Sequence, residues 1–126
     1  MDTQELAKEE KALRERERMR QEERPKDRVE RLKREYGWLY DEALAMLFRH
    51  DPMGINFETN PDEYAPEVAT ILPSLAYADS AAPLSEIICE EFEYWFGTAS
   101  SRIHRSIYND LAEELWAAYE VWLQEG

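Results

Sequence analysis

Cysteine occurs once in this 126-residue chain, at Cys89. A lone thiol excludes an intramolecular disulfide and any multi-cysteine metal site. Glycine occurs four times, at Gly37, Gly54, Gly97 and Gly126, too scattered to cradle a phosphate. No phosphate loop, dinucleotide fingerprint or G-x-S-x-G nucleophile turn is present. Histidine occurs twice, at His50 and His104, without the H-x-x-x-H or H-E-x-x-H spacing of a helical metal site. No stretch approaches the roughly 18 apolar residues of a membrane span. No charged start followed by an apolar run marks a secretory signal, so a cytoplasmic location is expected. Sustained period-two alternation is missing too, so no sheet is expected. After Lys33 there is not one lysine.

What the chain does hold is acid and aromatic carbon. The formal net charge is -13, with 44% hydrophobic and 12% aromatic residues. The composition suits one small folded domain. The charge is uneven along the chain. Residues 1–36 carry twelve positive and eleven negative side chains, leaving that stretch at about neutrality. The other 90 residues carry three positives (Arg49, Arg102, Arg105) and seventeen negatives. Seventeen acids on so small a body repel one another, so either the N-terminal arm folds back on them or a basic partner does.

Residues 1–26 read as a charged helical arm. Its apolar side chains are few, but Glu, Lys, Arg, Gln, Ala and Leu favour helix, and Glu10/Arg14 and Glu22/Lys26 are spaced for i,i+4 pairs. Such a segment buries too little to fold alone. It is expected as a frayed helix or one leg of a coiled coil, interrupted at Pro25. Residues 27–126 read as an acidic helical bundle. Val29, Leu32, Tyr36, Leu39, Ala43, Met46 and His50 follow a 3-4 spacing, one helical stripe from Asp27 to His50 widened by Trp38, Leu44 and Leu47. Gly37 sits inside that expected helix. Asp51–Ala65 is a loop rich in turn formers. Pro66 opens a second helix with Val68, Ile71, Leu72 and Leu75 inward and a kink at Pro73. The small residues Ala78–Pro83 connect to a third helix, Leu84–Phe96, capped by Gly97. Ser100 or Ser101 caps a fourth, with Ile103, Ile107, Leu111, Leu115, Ala118 and Trp122 on its stripe and Leu123 beside it. The expected fold class is all-α: a bundle of about four helices behind a charged helical arm.

The stretch Asp51–Leu72 resembles a group of small uncharacterised bacterial all-helical proteins. The resemblance is carried by Asp51, Pro52, Met53, Gly54 and Ile55, then Asp62, Glu63 and Tyr64. It covers about a sixth of the chain and departs from the pattern at Ala65, where an acidic residue tends to stand. It implies an all-helical domain with a loop of defined shape, and no activity.

Cys89 lies among glutamates, which raise a thiol pKa, so it reads as a small hydrophobe rather than a nucleophile. His50 and Asp51 read as a helix terminus, histidine at the negative end of the dipole and aspartate bonding the turn. The aromatics are mostly core, but a body this small cannot bury four tryptophans and many tyrosines, and Tyr94 and Trp95 are the best candidates for exposure. The candidate partner-binding residues are Glu58, Asp62, Glu63, Glu67, Glu90, Glu93, Tyr94 and Trp95. The reading that follows is a non-enzymatic interaction module without cofactor, docking on a basic protein as an immunity or antitoxin-like inhibitor or adaptor. A nucleic-acid-acting toxin or enzyme is the natural partner by analogy. Direct nucleic-acid binding is disfavoured by repulsion from phosphate. Two other readings stay open: a subunit oligomerising through residues 1–26, and a metal-dependent enzyme using His50, Asp51, Asp62 and Glu63.

Overall fold

The computed structural model describes residues 3–18, 23–52 and 64–125. They form six α-helices: α1 Thr3–Arg18, α2 Pro25–Tyr36, α3 Trp38–His50, α4 Ala65–Ile71, α5 Ala81–Phe96 and α6 Arg105–Glu125. Two 3-10 helices, Leu72–Tyr77 and Gly97–Arg102, follow α4 and α5. There is no strand among the described residues, and no described helix is long and apolar enough to cross a membrane. The all-α expectation holds.

The helix count exceeds the expected four for a local reason. The stripe from Val29 to His50 is split at Gly37, which adopts φ 55° and ψ -130°, a conformation that only glycine reaches cheaply. Its amide caps α2 by donating to the Lys33 carbonyl at 2.8 Å, and its own carbonyl accepts from Tyr40 as α3 begins. The apolar phase survives the break: Leu32 on α2 and Leu39, Ala43 and Met46 on α3 all reach the core. Two expected stripe members differ. Trp38 is 39% exposed and Leu123 is 52% exposed.

Prolines set the other boundaries. Pro66 stands in the first turn of α4, where its missing amide costs nothing. Pro73 does more than kink the helix: α4 ends at Ile71 and the chain tightens into a 3-10 turn through Tyr77. The connector expected at Ala78–Pro83 is shorter than it reads, because α5 already starts at Ala81 and takes Pro83 into its first turn. Gly97 ends α5 at φ 58°, as expected. Neither Ser100 nor Ser101 caps α6. Both lie in the second 3-10 helix, and His104 instead accepts the Ser106 amide through Nδ1 at 3.2 Å.

α6 runs along both α5 and α3, and α4 closes the group. Their inward faces bring Leu39, Leu84, Ile88, Phe92, Leu111 and Ala112 together with Tyr40, Tyr64 and Tyr108. Phe92 is the aromatic hub, with Tyr64, Phe96 and Tyr108 ring centres at 6.0, 5.6 and 5.7 Å. α1 lies across α4 and the first 3-10 helix.

Asp51 ends α3 in the left-handed region, at φ 44°, which a short polar side chain tolerates. Its carboxylate accepts the Tyr64 hydroxyl at 2.7 Å. The loop is therefore tied at its two described ends, while Met53–Glu63 fall outside the described residues.

Gly37→Ala should destabilise the chain by about 1–3 kcal/mol through backbone strain. An added Cβ there meets nothing within 4 Å, so no packing change offsets or worsens the strain. Urea unfolding followed by far-UV circular dichroism measures it.

Candidate functional site: a buried arginine beside an exposed acidic and aromatic face

α5 turns two different faces outward and inward. Leu84, Ile88 and Phe92 point into the core, and Glu91 points in with them at 0% exposure. A carboxylate in that position needs hydrogen bonds and a counter-charge. Both are present. Thr70 Oγ1 donates to Glu91 Oε2 at 3.0 Å, and Arg14 Nη1 donates to Glu91 Oε1 at 3.0 Å. Arg14 comes from α1, 77 residues away in sequence.

The arginine is shared. Its Nη2 donates to Glu10 Oε2 at 3.0 Å and to Glu90 Oε2 at 2.7 Å, and its Nε pairs with Glu10. Ser74 Oγ donates to Glu10 Oε1 at 2.7 Å. Arg14 is 3% exposed and Glu10 6%. Burial alone lowers the pKa of the Arg14 guanidinium, but the hydrogen bond to Glu90 and the charges of Glu10 and Glu91 outweigh it and hold the group above its ordinary value. The arginine stays charged, and its planar fork suits several carboxylates at once.

The outward face of α5 carries Glu86, Glu90, Glu93 and Tyr94, spaced three and four residues apart so that they share one side. Tyr94 is 55% and Trp95 38% exposed, and their rings meet edge-on at 5.2 Å and 86°. The side chain of Glu90 is 56% exposed, so it belongs to this face and to the arginine site together.

Of the eight candidate partner-binding residues, Glu90, Glu93 and Tyr94 share this outward side, and the exposed Trp95, further round the helix, adjoins it through its ring contact with Tyr94. Glu67 does not join them. It is only 4% exposed on the inward side of α4, so it is not part of an accessible acidic face. Glu58, Asp62 and Glu63 lie outside the described residues.

Cys89 is half-buried between Glu93 and Arg105, each 3.7 Å from its sulfur. Burial, then Glu93 and Glu90, push its pKa up, which disfavours the thiolate. Arg105 also pairs with Glu86. His50 sits 3.2 Å from Glu114, which Arg49 also approaches at 3.5 Å. No three His, Cys, Asp or Glu side chains among the described residues are grouped to hold a metal ion. Asp62 and Glu63, half of the metal reading, lie outside that set.

Sequence reasoning missed Glu10, Arg14, Thr70, Ser74 and Glu91 as a unit. The signal was available. Glu91 occupies a core register of α5, and residues 37–126 hold only three cations against twelve in residues 1–36, so the N-terminal stretch was the larger source of a counter-charge. Trp38, Val121 and Leu123 were not singled out either; all three are exposed, and Trp38 Nε1 donates to Glu125 at 2.6 Å.

No family model matches the chain, and neither a curated protein nor a solved structure matches it.

Tyr108 is buried, and burial, then the negative charge that Cys89 and Glu93 bring, push its phenol up to about 12. Burial raises Tyr119 as well. A raised phenol stabilises the fold fully below the unfolded value of about 10 and loses that contribution as pH climbs through the folded value. The urea midpoint should therefore fall between about pH 10 and 12, and Tyr108→Phe should flatten that fall. Phenolate absorbance recorded alongside assigns the step.

Proposed function

We propose that this chain is a non-enzymatic interaction module that docks a basic protein partner on the outward face of α5, as an immunity or antitoxin-like inhibitor or an adaptor does. The observation that carries the reading is the grouping of Glu90, Glu93 and Tyr94 on one exposed side of α5, with the exposed Trp95 ring against Tyr94 at its edge. Glutamates at the rim and a net charge of -13 attract a cationic surface over distance and speed the encounter. The aromatic pair then supplies rigid area to bury, at little entropic cost. In this reading the protein works in the cytoplasm, where its single cysteine stays a thiol.

The test is capture of partners from cells that make the protein, followed by kinetics on whatever basic protein is retained. The association rate should fall steeply as ionic strength rises, because the charges at the rim are screened. Replacing both Tyr94 and Trp95 by alanine should weaken the complex by about 30-fold or more and leave the unfolding midpoint nearly unchanged. An association rate indifferent to salt removes the steering mechanism. A complex indifferent to the aromatic pair removes this face as the docking site.

A further inference from the structure

We infer that the site now holding Arg14 is an arginine-binding slot of the body, filled in cis by α1 and open to an arginine-bearing segment of a basic partner in trans. The identity of the donor in trans rests on the docking reading above; the slot itself does not.

The slot is defined by its occupant. One guanidinium is held by Glu91 and Glu90 of α5, and the hydroxyls of Thr70 and Ser74 complete the surround through Glu91 and Glu10. The body's two acceptors, Glu90 and Glu91, are neighbours on α5 and take separate nitrogens of the guanidinium, while the third, Glu10, comes with α1 itself. Two adjacent carboxylates suit the fork of an arginine, and a lysine ammonium has no comparable geometry. Among the side chains described on α1, only Glu10 and Arg14 are buried and Leu13 is half-buried, while Lys8, Glu9, Lys11, Ala12, Glu15 and Arg16 are exposed. Among those described side chains the buried hold of α1 on the body is one polar pair, Glu10 and Arg14. A short, highly charged helix of this kind is marginal on its own, so it opens more readily than the core helices.

The slot also has a way in. Glu90 is a ligand of the guanidinium and a member of the exposed face, one turn from Glu93 and Tyr94. A basic helix seated on Tyr94 and Trp95 meets Glu90 first, and an arginine there displaces Arg14 by exchanging like for like. α1 thus acts as a built-in competitor. It keeps Glu91 compensated in the free protein and sets a threshold that a partner must exceed, since a tethered ligand acts at high effective concentration.

The probe is a synthetic peptide of residues 3–18, titrated onto the full-length Arg14→Ala chain and onto the wild-type chain. The peptide should bind the Arg14→Ala chain at least about tenfold more tightly than the wild type, whose slot is filled. Peptides carrying Arg14→Ala or Arg14→Lys should lose at least that factor. Equal binding to both chains, binding indifferent to the arginine, or no binding overturns the slot. If the Arg14→Ala chain does not fold, hydrogen exchange on the wild type decides: α1 amides exchanging by local opening, well ahead of α5 and α6, support a releasable α1. Exchange of α1 only by global unfolding overturns it. Because the donor is the chain's own helix, peptide binding together with a partner capture that retains no basic protein removes the docking reading and keeps the slot. A basic partner bound without peptide binding removes the slot alone.

Discussion

A carboxylate with no exposure to water cannot stand alone, and Glu91 is such a group. Its position on α5 constrains everything near it. Thr70 must face it from α4, and a cation must reach it. The body offers only Arg49, Arg102 and Arg105 as cations. Arg49 and Arg105 pair with acids at the surface, with Glu114 and with Glu86. The arm supplies the charge instead, and that requirement is what lays α1 across α4 and the first 3-10 helix. Buried ion pairs of this kind add little net stability over an apolar substitute, but removing one partner is costly. Their effect is to specify one arrangement. Among the described side chains of α1, Arg14 and Glu10 are the buried ones, and they fix where the helix sits.

The rest of the architecture follows from backbone constraints at a few residues. Gly37 lets the chain reverse its local geometry without losing the phase of the apolar stripe, so α2 and α3 feed the same core from different axes. Pro73 ends α4 and tightens the chain toward α5. Asp51 and Tyr64 tie the two described ends of the longest loop, and Tyr64 carries that tie into the aromatic group around Phe92. The α5 face is thus mounted on the best-packed helix pair of the body, and its exposed residues sit on a rigid support. That suits recognition by preformed shape rather than by folding on contact.

Helix content, the inward residues and the exposure of Tyr94 and Trp95 were legible in the sequence, because periodicity and composition report burial directly. The break at Gly37 was not, since a tight turn that preserves phase leaves the 3-4 spacing intact. The caps were misread where two serines looked better suited than His104, because capping depends on the conformation before the helix and not on residue type alone. Glu67 looked like one more surface acid. Only the packing of α4 against its neighbours turns it inward, and that is a tertiary fact. The arginine site was hidden for a related reason. Its members span residues 10 to 91, and no local pattern joins them.

Folding the arm back answers only part of the electrostatic problem posed by the sequence. Arg14 compensates Glu90 and Glu91 locally, but it brings Glu10 with it. Arg28 and Arg31 of α2 are drawn to Glu23 within the first 36 residues, and Lys33 reaches Asp41 at 3.8 Å. The arm is close to neutral before it docks and close to neutral afterwards, so docking cannot change the sum. Among the described acids of the body, Glu90 and Glu91 are answered by Arg14, Asp41 by Lys33, Glu86 by Arg105 and Glu114 by Arg49, and seventeen acids still outnumber these cations. A cationic surface laid on the outward face of α5 would lower the repulsion among these acids without rebuilding the core, and the gain would be greatest beside Glu90 and Glu93, where acids and aromatic area coincide. The fold has its internal counter-charge where burial demands it and, at a net charge of -13, keeps an acidic outer field.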